Sequence, residues 1–313
     1  MPRLLRREAA ANAALDDLAS MQDRVLSRDQ LLSHGWTHDH VAAEVAGRRW
    51  AAFGSRAVVL HRGPLTSRQR RWTAIINGGP SVALAGLTAA KELGLTGFET
   101  DVVHVVVPKD AWVPRPQRGV KVHISRRFML TDRHPARVLP TVRIERALID
   151  AAAWSRPARR AAAIVIAGVQ QRLTQPDRLR AELLGAGMVR HRRLLFGVID
   201  DVEGGPHALA ELDFRRLCRR YQLGAPQQQH RRRDAAGRVR YLDARFTRAD
   251  GRVLNVEIDG AAHYGVLDAW SDMDRDIALL ATGEPTVRVP SAILRSDPAG
   301  VVARLRVLLT APW

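Results

Sequence analysis

Residues 239–259 read VRYLDARFTRADGRVLNVEID, and this stretch decides the fold of the C-terminal third. Val239 to Phe246 and Val253 to Asp259 each alternate between apolar and polar residues, the period of a half-buried strand. Between them, Arg248 to Arg252 contains Asp250-Gly251, a dipeptide suited to a tight hairpin turn. A hairpin centred on Asp250 sets Asp243 directly opposite Glu257. Side chains so paired have Cβ atoms about 5 Å apart. Asp259, two residues beyond Glu257, shares its face, while Leu254, Val256 and Ile258 point the other way, into a core.

Three carboxylates on one patch repel one another unless a cation lies between them. Carboxylate oxygens hold hard divalent ions such as Mg²⁺ or Mn²⁺, which keep several waters and can activate one against a phosphodiester. The bland alternative is a solvated acidic face. It is the weaker reading in a chain of 313 residues with 49 basic and only 32 acidic side chains, a net charge of +17.

Working outward, His207 to about Tyr221 reads as a helix with Leu209, Leu217, Cys218 and Tyr221 apolar and Glu211 near its start. Gln227 to Arg232 is strand-like, Asp268 to Ala281 helical, and Thr286 to Val289 a short strand. Asp297 caps and Pro298 opens a last helix. The order α-β-β-β-α-β is the core order of the restriction-endonuclease fold. YLDARF, LNVEIDGAAHYG and DMDRDIALLATGEPTVRVP together resemble the very-short-patch-repair-type branch of the PD-(D/E)XK endonuclease superfamily, over about residues 207–310. The resemblance implies that Asp243 and Glu257 bind the metal and that His263 transfers a proton. It also implies that Glu211 is an auxiliary acid. The superfamily's lysine, two positions after Glu257, is Asp259 here. Lysine there would orient the attacking water and offset phosphate charge. An Asp cannot supply that charge, so either His263 takes over the proton transfer or catalysis is impaired.

The N-terminal third has a different character. Ser27 to Gln30 is a capping box ahead of Leu31 and Leu32, and His34-Gly35 stops that helix. Thr37 caps a second helix to about Arg48, with Val41, Ala42 and Val45 placed on one face. Two short β-like runs, Trp50 to Phe53 and Ala57 to His61, flank Gly54-Ser55. A helix-turn-helix followed by a hairpin is a winged helix, whose second helix enters the major groove. Arg48, Arg49 and Arg56 are the charges expected to meet phosphates. SRDQLLSHGWTHDHVAAEV and RRWAAFGSRAVVLHRGPLTSRQRRW, continuing to LPTVRIERALIDAAA, resemble the antitoxins of the AbiEi type over about residues 23–155. That resemblance implies promoter binding and repression.

Between these ends, Thr66 to Gln69 is another capping box, opening a helix that carries Trp72, Ile75 and Ile76. Ser81 to Leu93 reads as a helix, and Val102 to Val107 and Val120 to Ile124 as strands. Helices are expected after Pro140-Thr141, Pro157 and Pro176. The whole is therefore read as a multidomain α+β protein. A winged helix spans residues 1–65, a mixed α/β then helical segment residues 66–204, and an αβββαβ nuclease-like domain residues 205–313.

Only three of the basic residues are Lys, so the positive charge is almost all guanidinium, suited to bidentate phosphate contacts. DNA is the partner expected first, and the sequence does not distinguish RNA from it. A single cysteine, Cys218, leaves no disulfide framework, which fits a reducing cytosol. MPRLLRREAAANAALDD has no signal-peptide pattern, and no apolar run approaches membrane-spanning length. The expected location is cytoplasmic and nucleoid-associated, without membrane. Two function classes stand. One is a Mg²⁺- or Mn²⁺-dependent DNA endonuclease. The other is a non-catalytic DNA-binding regulator with a degenerate nuclease domain. A partner toxin, or a repair or defence protein, fits one or the other.

Overall fold

The computed structural model describes residues 13–111, 117–203, 207–233, 239–259 and 286–310. For 207–212, 228–233, 239–243 and 259 it describes the backbone. The chain forms two units, Met1–Ala147 and Leu148–Trp313, both mixed helix and sheet. The expected boundaries at 65 and 204 fall inside these units rather than between them. No helix among the described residues is long and apolar enough to cross a membrane.

The first unit begins with helix α1 (13–21), strand β1 (Val25–Ser27), helices α2 (Arg28–Ser33) and α3 (His38–Ala46), and strands β2 (Ala51–Phe53) and β3 (Ala57–Val59). Its antiparallel sheet runs β1-β3-β2. Both expected caps form. Ser27 Oγ accepts from Gln30 N at 2.9 Å while Gln30 Oε1 accepts from Ser27 N at 2.8 Å, and Thr37 Oγ1 accepts from His40 N at 3.1 Å. Leu15, Leu26, Leu31, Val41 and Val58 close a small core. The apolar face expected on α3 is narrower than its sequence suggests. Val41 is buried, Val45 half-buried and Ala42 exposed, so most of α3 faces solvent.

Helix α4 (Ser67–Gly78) starts at the Thr66–Gln69 capping box and buries Trp72 and Ile75. It packs on β1 and β3 and also on β5 (Val103–Pro108). The helix expected over Ser81 to Leu93 is instead a short strand, β4 (Ala83–Leu84), followed by helix α5 (Gly86–Glu92). Val82, Ala83 and Leu84 are fully buried, and β4 pairs antiparallel with β5. Gly86, at φ +53°, makes the turn into the helix. β6 (Val120–Ser125) pairs parallel with β5.

Helix α6 (Ile144–Trp154) spans the division between the units. The second unit continues with helices α7 (Ala158–Gln170), α8 (Pro176–Gly185), α9 (Arg192–Val202) and α10 (His207–Arg220). It then forms strands β7 (Gln227–Arg233), β8 (Val239–Thr247), β9 (Val253–Asp259) and β10 (Thr286–Pro290), and helices α11 (Ser291–Ser296) and α12 (Pro298–Thr310). The sheet order is β10-β9-β8-β7. β7, β8 and β9 form an antiparallel meander, and β10 lies parallel to β9. The helix expected over Asp268 to Ala281 lies outside the described residues. Asp297 Oδ1 accepts from Gly300 N at 2.9 Å, the expected cap of the last helix.

Candidate functional site

The β8–β9 hairpin has the register that its turn dictates. Ala244 pairs with Val256, Arg245 with Asn255, Phe246 with Leu254 and Thr247 with Val253. Each pair is centred on Asp250, so the same register carried one residue further sets Asp243 opposite Glu257. Arg252 N donates to Asp250 Oδ1 at 3.0 Å, and Gly251 adopts φ +82°, which close the turn.

One face of the sheet is core. Ala244, Phe246, Leu254, Val256, Ile258, Val287 and Val289 are buried there, and Phe214 of α10 meets Phe246 edge-on with ring centroids 6.2 Å apart. The opposite face carries Arg245, Asn255, Glu257 and Arg288, with Asp243 and Asp259 at backbone positions on it. Glu257 is half-buried. Its β10 neighbour is Arg288, whose Nε donates to Glu257 Oε2 at 3.2 Å. Glu257 Oε1 has no recorded partner among the described residues.

Asn255 changes the character of this face. It is fully buried, and neither Oδ1 nor Nδ2 has a hydrogen-bond partner among the described residues. A buried amide left unpaired costs about 1–3 kcal/mol. The face is therefore not simply a solvated acidic surface. It holds an orphaned polar group two residues from Glu257.

The residues predicted from sequence are placed unevenly. Asp243 in β8 and Asp259 at the end of β9 are located by backbone. Glu211 is likewise located by backbone, in α10. His263 lies outside the described residues. No three His, Cys, Asp or Glu side chains converge among the described residues, a set that excludes the side chains of Asp243, Asp259 and His263. The carboxylate of Glu257 is a hard oxygen donor of the kind Mg²⁺ or Mn²⁺ takes, while Asp243 is located by its backbone alone. Cys218 is buried, and burial pushes its thiol up to about 11, so it is no nucleophile.

In the first unit, Arg48 sits exposed just after α3 in left-handed backbone, φ +57°. Arg49 forms a two-point pair with Glu44, through Nε at 2.6 Å and Nη2 at 2.9 Å. Arg56 Nη2 reaches Asp29 at 2.9 Å. Both pairs are exposed and screened by solvent, so a phosphate can displace the carboxylates.

Asn77 of α4 was not apparent in the sequence. Its Oδ1 accepts from Arg56 N at 3.0 Å and Ala57 N at 3.2 Å, and its Nδ2 donates to Phe53 O at 2.8 Å. One buried amide thus clamps the β2–β3 turn. Arg288 was also missed. Its signal is visible in TVRVP, where a single Arg stands between two apolar residues and so points away from the core.

No family model and no curated protein matches this chain. The chain is similar to the solved structure of the RV2827C protein from Mycobacterium tuberculosis, with a TM-score of 0.42 and 17% sequence identity. The match covers 64% of this chain and 80% of that one. A likeness of that size carries no argument about function.

Proposed function

We propose that this is a DNA-binding protein whose second unit hydrolyses phosphodiester bonds with a divalent ion held by Asp243 and Glu257. The observation that carries the reading is the β8–β9 register, whose last pair, Ala244 with Val256, ends one residue short of Asp243 and Glu257. The meander β7-β8-β9 with β10 parallel to β9 supports a restriction-endonuclease-like core. In the first unit, the order α1-β1-α2-α3-β2-β3 with sheet order β1-β3-β2 supports a winged helix. On that reading α3, exposed along most of its length, enters the groove.

When bound, Mg²⁺ or Mn²⁺ supplies Lewis acidity towards the phosphodiester and towards an attacking water. The chain supplies the rest. Asp243 and Glu257 present hard oxygen donors from adjacent strands. Arg288 puts a positive charge beside them, where the phosphate is drawn. His263 takes a proton from the attacking water. Asp259, standing where the resemblance has lysine, supplies no positive charge, and Glu211 is an auxiliary acid on α10. Arg48, Arg49 and Arg56 hold backbone phosphates near the winged helix.

A second reading has its own observation. The Arg288–Glu257 pair already occupies one carboxylate oxygen of the site. That suits a non-catalytic regulator of the antitoxin-like kind, with a nuclease fold kept for binding. A plasmid-cleavage assay with Mg²⁺ or Mn²⁺ separates the two. Nicking or linearisation that Asp243→Ala abolishes is the expected result. Absence of cleavage on duplex, single-stranded and mismatched DNA would overturn the nuclease reading in favour of the regulator.

A further inference from the structure

A cleft of about 580 Å³ lies within the second unit, between α9, α10 and the start of α12. It is a different place from the carboxylate face and involves none of its residues. Its lining mixes apolar residues, Phe196, Leu217 and Leu294 among them, with the carboxylates of Asp200 and Asp213. Three exposed arginines rim it: Arg193 of α9, and Arg216 and Arg220 of α10. At its back stands Arg295 of α11, with only 13% of its side chain exposed.

Arg295 is held as a preset fork. Nε donates to Asp213 Oδ2 at 2.7 Å, and Nη1 donates to Gly197 O at 2.8 Å and to Asp201. Those bonds fix the guanidinium plane. Its remaining nitrogen, Nη2, makes no hydrogen bond seen among the described residues. A half-buried, oriented guanidinium with one edge uncommitted is a directional anion donor.

The neighbouring acids are already engaged. Asp200 is paired with Arg180 at 2.7 Å, and Glu203 takes the other arm of Arg180. Asp213 and Asp201 face Arg295. Among the described residues neither Arg193 nor Arg220 has an ion pair. Arg220 instead lies over the Tyr221 ring at 5.6 Å. The cleft thus combines apolar residues, an aromatic ring and, in Arg193 and Arg220, guanidinium groups without an ion pair among the described residues, while Arg216 stands 3.7 Å from Asp213.

We infer that this cleft binds a nucleoside phosphate, the base against the apolar wall and the phosphate between Arg295 Nη2 and the rim arginines. The volume lies in the range of small-ligand sites. Stacking of a base on apolar and aromatic side chains needs no sequence match. The same chemistry is offered by a free nucleotide or by one residue of a single strand.

The test uses the full chain in metal-free buffer, which separates it from the nuclease reading. Calorimetric titrations are run with deoxyadenosine 5′-monophosphate, with inorganic phosphate, and with a short single-stranded oligonucleotide. The monophosphate should bind at least tenfold more tightly than phosphate alone. Arg193→Glu and Arg220→Glu, both on exposed positions that leave the packing intact, should each weaken binding about tenfold. An oligonucleotide much tighter than the mononucleotide identifies a strand as the source, and equal affinity identifies the free nucleotide. No binding of either up to millimolar concentration would overturn the inference. So would equal affinity for inorganic phosphate, or binding that neither variant alters.

Discussion

Arg288 and Glu257 are direct cross-strand partners in the parallel β10–β9 pair, joined by a 3.2 Å contact between Nε and Oε2. The guanidinium is a cation that arrives with the fold and stands beside the carboxylate proposed to receive a metal ion. It competes with that ion for one oxygen and leaves the other. Arg288→Ala should therefore tighten Mn²⁺ binding several-fold. Stability should fall by only about 0.5 kcal/mol, since the pair is largely exposed. Calorimetry and urea unfolding measure the two effects. Weaker Mn²⁺ binding in the variant would show that Arg288 orients Glu257 rather than competing for it.

Asn255 is buried with its amide unpaired, an arrangement that persists where something other than stability is served. Asn255→Val removes both orphaned atoms and suits a strand. Unfolding free energy should rise by about 1–2 kcal/mol. Cleavage and Mn²⁺ affinity should fall together if the amide faces the site. A destabilised Asn255→Val would show that the amide is satisfied and structural.

The Asn77 clamp predicts that the β2–β3 turn is built from α4. Asn77→Ala frees three backbone groups and should destabilise the first unit by about 2–3 kcal/mol. Gly54→Ala should act in the same direction. Its φ is +67°, and an added Cβ would lie 2.7 Å from Asn77 Oδ1. Thermal unfolding and DNA affinity are the readouts. Both should fall together if the hairpin serves as a wing.

His104 and His123 lie on the adjacent strands β5 and β6, with Nδ1 and Nε2 2.9 Å apart and their rings stacked at 5.2 Å. One ring donates and the other accepts, so the accepting ring is neutral. Burial, reinforced by the Lys121 charge, pushes His104 down to about 4. Burial, the His104 ring and Lys121 push His123 down to about 3. An unfolded histidine titrates near about 6.5. Below that pH the unfolded chain takes up protons that the folded chain refuses. Stability should thus be full above about pH 6.5 and fall as pH drops from there towards 4. A urea midpoint independent of pH between about 7 and 5 would contradict the assignment.

Much of the fold follows from local chemistry. Two capping boxes start α2 and α4 where Ser27 and Thr66 stand, and Asp250-Gly251 fixes a register that alternation then carries along both strands. What was not legible depends on distant or uncapped partners. α9 starts at His191 in left-handed backbone, φ 62°, with no side-chain cap, amid a run of arginines that hides Leu195, Val198 and Ile199. β4 hid in an apolar run that continues into α5, and only pairing with β5, about twenty residues away, makes it a strand. The register from Ala244–Val256 to Thr247–Val253 was legible because its partners are neighbours through a tight turn. Arg288 was not, because its contact arises through a parallel pairing that no local rule supplies.

The central claim is that Asp243 and Glu257 jointly hold a divalent ion, and a calorimetric titration of the full chain with Mn²⁺ tests it most directly. The account predicts one-site binding that Asp243→Ala and Glu257→Ala each abolish. Metal-free stability should be unchanged or raised in Asp243→Ala, because the substitution removes a crowded negative charge, and should fall by only about 0.5 kcal/mol in Glu257→Ala, which also loses the Arg288 pair. Mn²⁺ binding that survives both substitutions, or a large loss of metal-free stability in Asp243→Ala, would contradict it.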